Sequence, residues 1–170
     1  MKKLFYLLII ATLLCACEKI EKEQDIVKFF ENNHETEQKL ITITGMDFAN
    51  SNYDGSLITS WGKTLYSSQM RYLYLRITYN CNTNAQHEIK LFTKIFKPDG
   101  TLSSGTSSPE GYTMKKIFTS VGEKKQKVTQ DLNGWGNNTQ SIYSAGNYRI
   151  ELWEENETPE IVFAATVQIK

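Results

Sequence analysis

The chain has 170 residues, with 19 Lys+Arg against 19 Asp+Glu, 40% hydrophobic residues, 12% aromatics and three Cys. That is the length of one domain with room for a tail, and too short for a large multidomain enzyme. The balanced charge excludes the strongly basic class typical of nucleic-acid binders. Ordinary apolar content with three Pro excludes a disordered chain.

The chain opens on a basic start, Met1-Lys2-Lys3, followed by an uncharged apolar run from Leu4 to Leu14. A basic segment, a short apolar stretch and small residues before a cut define a secretory signal. The run is shorter than the roughly 20 residues that a membrane-spanning helix needs. Leu14-Cys15-Ala16-Cys17 then resembles the bacterial lipobox. That resemblance implies cleavage after Ala16, a diacylglycerol thioether on Cys17 and acylation of the new amine. Lipidation at Cys15 instead would put Leu14 where a small side chain is needed. Removing 16 residues from 170 leaves 154 and takes away Lys2 and Lys3, so 17 basic residues face 19 acidic ones, a net charge of −2. Cys81 is then the single remaining thiol, and one thiol makes no internal disulfide, so stability must come from a packed core.

Glu18-Lys19-Ile20-Glu21-Lys22-Glu23-Gln24-Asp25 reads as a solvated tether. It also loosely resembles the acidic tags that send some Gram-negative lipoproteins to the cell surface. Glu at position 18, where some bacteria use Asp to retain lipoproteins at the inner membrane, points to the outer membrane. The periplasmic side and the cell surface both fit. Ile26, Val27 and Phe30 share one face of a short helix expected within residues 21–33, and residues 32–37 read as a linker. The expected organisation is a signal peptide at 1–16, a tether at 17–37 and one folded domain at 38–170.

From residue 38 onward the apolar pattern has period two. Leu73, Leu75, Ile77 and Tyr79 alternate with Tyr74, Arg76 and Thr78; Tyr148, Ile150 and Leu152 alternate with Arg149 and Glu151. One buried and one solvated face is the mark of antiparallel strands. Strands are expected near 39–46, 56–60, 70–80, 86–97, 112–121, 125–132, 147–154 and 160–169. Pro98-Asp99-Gly100 supplies a turn, residues 103–111 a polar loop, Gly122-Glu123-Lys124 a hairpin, and residues 155–159 the last connection. Short strands at this spacing predict an all-β, antiparallel sandwich of about seven to nine strands.

Gly146-Asn147-Tyr148 resembles the Gly-x-Tyr opening of the penultimate strand in immunoglobulin-like and fibronectin-like sandwiches, where the Tyr hydroxyl bonds backbone across a corner. Met70-Arg71-Tyr72-Leu73, Lys97-Pro98-Asp99-Gly100, Ser107 to Tyr112, Gly134-Trp135-Gly136 and Ser144 to Arg149 together look like a small Ig-like module of bacterial envelope proteins, over roughly residues 55–169. The resemblance implies the fold and brings no catalytic residue with it.

Reactive chemistry is sparse in the sequence. His34 lies in the expected linker, and His87 stands at a strand start. There is no His-Glu-x-x-His, no Cys-x-x-Cys after the cut, no Gly-x-Ser-x-Gly elbow and no Gly-rich phosphate loop. No cofactor and no metal is expected. Cys81 with His87 is the one nucleophile–base pair to consider, and it lacks a visible oxyanion hole. Glu154-Glu155, and Asp99 with Glu110, imitate paired glycosidase acids but lie in turns and a strand end. Asp47, Asn50, Asn52, Asp54 and Gly55 offer hard oxygens for Ca²⁺ without an EF-hand spacing, and a plain turn explains them better.

The aromatics are the better lead. Trp61, Trp135, Trp153, Tyr72, Tyr74, Tyr112 and Tyr143 exceed what a thin sandwich core holds. Trp135 stands between two glycines beside Asn133, Asn137 and Asn138. As a loop residue it would stack on a sugar ring or anchor a partner; as a plug it would close one end of the sandwich. Tyr72 and Tyr74 face away from Leu73 and Leu75. The candidate binding residues are therefore Trp135, Asn133, Asn137, Tyr72 and Tyr74, with Cys17 as the lipid attachment. The expected function is a lipid-anchored envelope module without catalytic activity that recognises a glycan or protein partner. The alternatives are an accessory or catalytic subunit of an envelope enzyme, and a structural spacer.

Overall fold

The computed structural model describes residues 39–103, 111–138, 141–155 and 159–170. The signal peptide, Cys17, the tether with its expected helix, His34, and residues 104–110 of the polar loop lie outside the described residues.

Among the described residues, eight strands follow one another: β1 (Ile41–Ser51), β2 (Thr64–Leu65), β3 (Tyr72–Cys81), β4 (Glu88–Phe96), β5 (Met114–Thr119), β6 (Lys127–Gly136), β7 (Gly146–Glu154) and β8 (Glu160–Ile169). They form two sheets, β1-β3-β6 and β2-β8-β7-β4-β5. The pairings are antiparallel except for the two-residue β2, which runs parallel to β8. This is the all-β sandwich expected from the alternation. Strand β3 shows why: its residues alternate between half-buried and buried from Tyr72 to Cys81. Leu73, Leu75, Ile77 and Tyr79 enter the core with Phe48, Leu132, Leu91, Ile95, Ile150, Leu152 and Val167. Each buried aliphatic side chain of this kind contributes about 1.5–3 kcal/mol relative to exposure.

The corner before β7 is built as the Gly-x-Tyr resemblance implies. Tyr148 is buried, and its hydroxyl accepts the Ser144 N–H at 3.0 Å. Gly146 has φ +145°, and a Cβ there would lie 2.4 Å from Pro98 Cγ. The two sequence blocks around Pro98 and Tyr148 therefore touch, and glycine is what lets them. Tyr143 packs edge-on against Tyr148 with ring centroids 5.4 Å apart and donates its hydroxyl to the Trp135 carbonyl. Burial pushes the Tyr143 hydroxyl well above its usual pKa.

Three expectations are corrected. Residues 56–60 do not form a strand. Only Leu57 makes an isolated bridge, to Ser51, because the stretch hangs on a single β1 residue: the Asn50 carbonyl accepts both Ile58 N–H and Thr59 N–H, at 2.8 and 3.2 Å. The segment 122–124 is not a hairpin, since β5 pairs with β4 while β6 pairs with β3 in the other sheet. It is a crossover between sheets. Finally, β6 extends to Gly136, so Trp135 is a strand residue rather than a loop residue.

Candidate functional site

The outward side chains of β3 form a row on the solvent face of the three-stranded sheet. Tyr72, Tyr74 and Arg76 are all half-buried there. The loop after β1 folds over this row. Trp61 lies 5.7 Å from the Tyr74 ring, with the Arg76 guanidinium 4.4 Å from the Trp61 ring. Arg76 also meets Asp47 at 3.3 Å. One end of the row is thus closed by an aromatic–cation stack.

The other end is open. Ser51, Asn52, Tyr53, Asp54, Gly55, Tyr72, Tyr74, Asn133 and Gly134 line a cleft of about 330 Å³. Tyr53 is 79% exposed, and its ring lies 5.9 Å from that of Tyr72 at a tilt of 59°. Two local features hold the cleft open. On one side the turn 52–56 is self-supporting: Asp54 Oδ1 accepts the Ser56 N–H at 2.9 Å and the Ser56 hydroxyl at 2.6 Å, while Asn52 donates to Ser56 Oγ at 3.0 Å. Gly55 at φ +84° brings this turn against the Tyr74 hydroxyl. On the other side β6 bulges between Leu132 and Trp135. Two β6 residues, Asn133 and Gly134, then oppose Tyr74 alone, a device that re-aims side chains. The bulge keeps Asn133 on the outer face and turns Trp135 inward.

The sequence candidates therefore separate. Tyr72, Tyr74 and Asn133 converge on one cleft. Trp135 does not join them: it packs against the core, and its indole N–H donates to Ser103 Oγ at 2.9 Å. Asn137 sits past the strand end, where its N–H donates to the Arg71 carbonyl at 3.0 Å. Sequence reasoning missed Tyr53, Asn52, Asp54 and Gly55 as cleft residues, although an aromatic in the middle of an Asn-rich turn was the available signal.

The electrostatics of the cleft are mildly acidic. The hydrogen bonds from Ser56 hold the Asp54 carboxyl below its usual range. Partial burial, aided by the Asp131 charge, raises the Tyr74 hydroxyl, so it stays a neutral donor at physiological pH. Lys116 reaches the rim, 3.5 Å from Asn133 Oδ1.

The other chemistry-bearing residues have structural employment. Cys81 is sealed in the core at 1% exposure, and a nucleophile needs access. His87 is held through its backbone, its N–H donating to Ser120 Oγ at 3.0 Å. Asn50 is buried and clamps two segments: it donates to the Gln69 carbonyl at 2.7 Å and accepts Arg71 N–H at 2.8 Å. The five hard-oxygen residues of the 47–55 stretch are accordingly spread over different tasks. Glu155 is paired with Lys115 at 3.1 Å, which lowers its carboxyl pKa. Asp99 accepts the Thr101 hydroxyl at 2.7 Å, and Glu110 lies outside the described residues. A second aromatic cluster, on the outer face of the five-stranded sheet, is closed by its own cations: Phe92 stacks on Tyr112 at 4.2 Å, and Lys94 lies 4.0 Å from the Trp153 ring.

No family model and no curated protein matches the sequence. Among solved structures, the chain is similar to a GH3 β-glucosidase from Bifidobacterium adolescentis, at 12% identity and a TM-score of 0.39, over 76% of this chain and 17% of that one. It is also similar to a β-glucosidase from Listeria innocua in complex with isofagomine, at 8% identity and a TM-score of 0.39, over 76% of this chain and 16% of that one. The chain thus spans a small part of either enzyme's length. Likenesses at this TM-score carry no argument about activity.

Proposed function

We propose that this protein is a lipid-anchored envelope module that binds a glycan or protein partner without catalysing a reaction, and that the cleft between the 52–56 turn and the β6 bulge is its binding site. The observation that carries the proposal is the convergence of Tyr53, Tyr72 and Tyr74 with Asn52 and Asn133 around a single concavity. Ligand sites combine aromatic walls with a few placed polar groups in clefts of about 300–1,000 Å³, and this one lies at the lower bound. The anchor half of the proposal rests on Leu14-Cys15-Ala16-Cys17 at the end of a short apolar run. The two acyl chains of a diacylglycerol on Cys17, with the amine-linked chain as a third, exceed the two signals that stable membrane attachment takes. We place the module at the outer membrane, on its periplasmic or surface side.

Each half has its own test. Cells expressing the protein incorporate radiolabelled palmitate into it, and Cys17→Ala abolishes the label; a label that survives the substitution refutes the anchor. In the full-length protein, Tyr72→Ala weakens ligand capture at least tenfold while the melting temperature stays within about 2 °C of wild type, as expected for a half-exposed residue. Unchanged capture refutes the cleft.

A further inference from the structure

The geometry points to a single uncharged sugar ring, at a glycan end, as the group this cleft accepts, with acidic sugars refused. This inference rests on the binding role proposed above and names the ligand chemistry of the same site.

Size comes first. A cleft of about 330 Å³ stands at the floor of the range for ligand sites. It suits one ring-sized group and is too small for a helix or strand of a protein partner. Shape and chemistry come second. Tyr53 offers an almost fully solvated ring next to the half-buried Tyr72, tilted 59° to it. Two non-parallel aromatic faces suit a saturated ring that has apolar C–H faces and a polar rim. The rim finds its complement in the Asn52 and Asn133 amides and in the Tyr72 and Tyr74 hydroxyls, which both donate and accept. Charge comes third. Among the described residues, the wall contains one acid, Asp54, and no Lys or Arg. The rim cation Lys116 is directed onto Asn133 Oδ1, and Asp131 adds a negative charge felt by Tyr74. An anionic ring would sit beside the solvent-exposed Asp54 carboxylate without a cation in the wall to face it, and like charges at close range repel.

The test is a glycan array read with the full-length protein in a zwitterionic detergent that carries no sugar. The array presents neutral hexose ends, N-acetylated hexosamine ends, and uronate and sialate ends. Binding to neutral or N-acetylated ends that falls at least tenfold in Tyr72→Ala, with acidic ends blank, supports the inference. Asp54→Asn, which keeps the shape of the side chain, then brings uronate ends to within about threefold of their neutral counterparts. Tyr72-dependent capture of acidic ends by the wild type overturns the inference while leaving the binding role standing. Unchanged refusal of acidic ends by Asp54→Asn overturns the assignment of selectivity to that charge. Absence of any Tyr72-dependent capture on the array overturns the sugar ligand; if Tyr72-dependent binding to envelope proteins persists in a pull-down, the binding role survives with a protein partner, and if it does not, both fall.

Discussion

At the scale of single residues, Trp135 shows what the local sequence conceals. Flanked by Gly134 and Gly136 and followed by two asparagines, it has the composition of a loop. Its place is nonetheless in β6, facing Leu73 across the ladder, with its indole N–H satisfied by Ser103. Trp135→Ala is therefore expected to destabilise the domain by about 2–3 kcal/mol, below the cost of emptying a fully buried Trp site. Chemical denaturation would show the midpoint shift, and ligand capture per folded molecule would be unchanged. Tyr72 and Tyr74 were legible as candidates because period-two alternation fixes which side chains oppose the core, whereas Asn133 entered only as an amide beside Trp135. Tyr53 was not, because a turn has no periodicity to read, and its partner Tyr72 is 19 residues away in the chain. Asn50 was misjudged for the related reason that a buried amide clamp and an exposed turn amide look alike in sequence.

Among elements, β6 is the one on which the site depends. Its bulge lets Leu132 and Trp135 both face inward although three positions apart, an arrangement that strict alternation forbids. The sequence reading ended the strand near 132 for that reason: the pattern breaks where the bulge begins. Gly134 leaves no room for a side chain, since a Cβ there would lie 2.9 Å from Tyr72 Cβ. Gly134→Ala is expected to cost about 1–3 kcal/mol through overpacking, and it should also displace Tyr72 and so weaken ligand capture. A variant with wild-type melting temperature and wild-type capture would show that the bulge relaxes freely and does not position the ring. The other misread elements share one cause. Residues 56–60 and 122–124 have strand or turn composition, but whether they pair is decided outside the segment, by the end of the preceding β1 in one case and by the opposite sheet in the other.

For the whole molecule, the apolar alternation carried most of the information. The eight strands and two sheets of the described residues follow from segments that each bury one face, and the tyrosine corner at Tyr148 fixes how the fold closes at the start of β7. Which strands share a sheet was beyond local pattern, because register and sheet membership arise from long-range pairing. The site inherits that non-locality: it joins the end of β1, the start of β3 and the bulge of β6, three stretches that the order β1-β3-β6 places side by side. The most direct test is amide chemical-shift mapping of the folded domain in the full-length protein while a neutral oligosaccharide is added. The cleft predicts saturable shifts at Asn52, Gly55, Tyr72, Asn133 and Gly134, with the outer face around Phe92 and Trp153 unmoved. Shifts confined to that second face, or a spectrum that does not respond at the cleft to any glycan or partner captured by the protein, would contradict it.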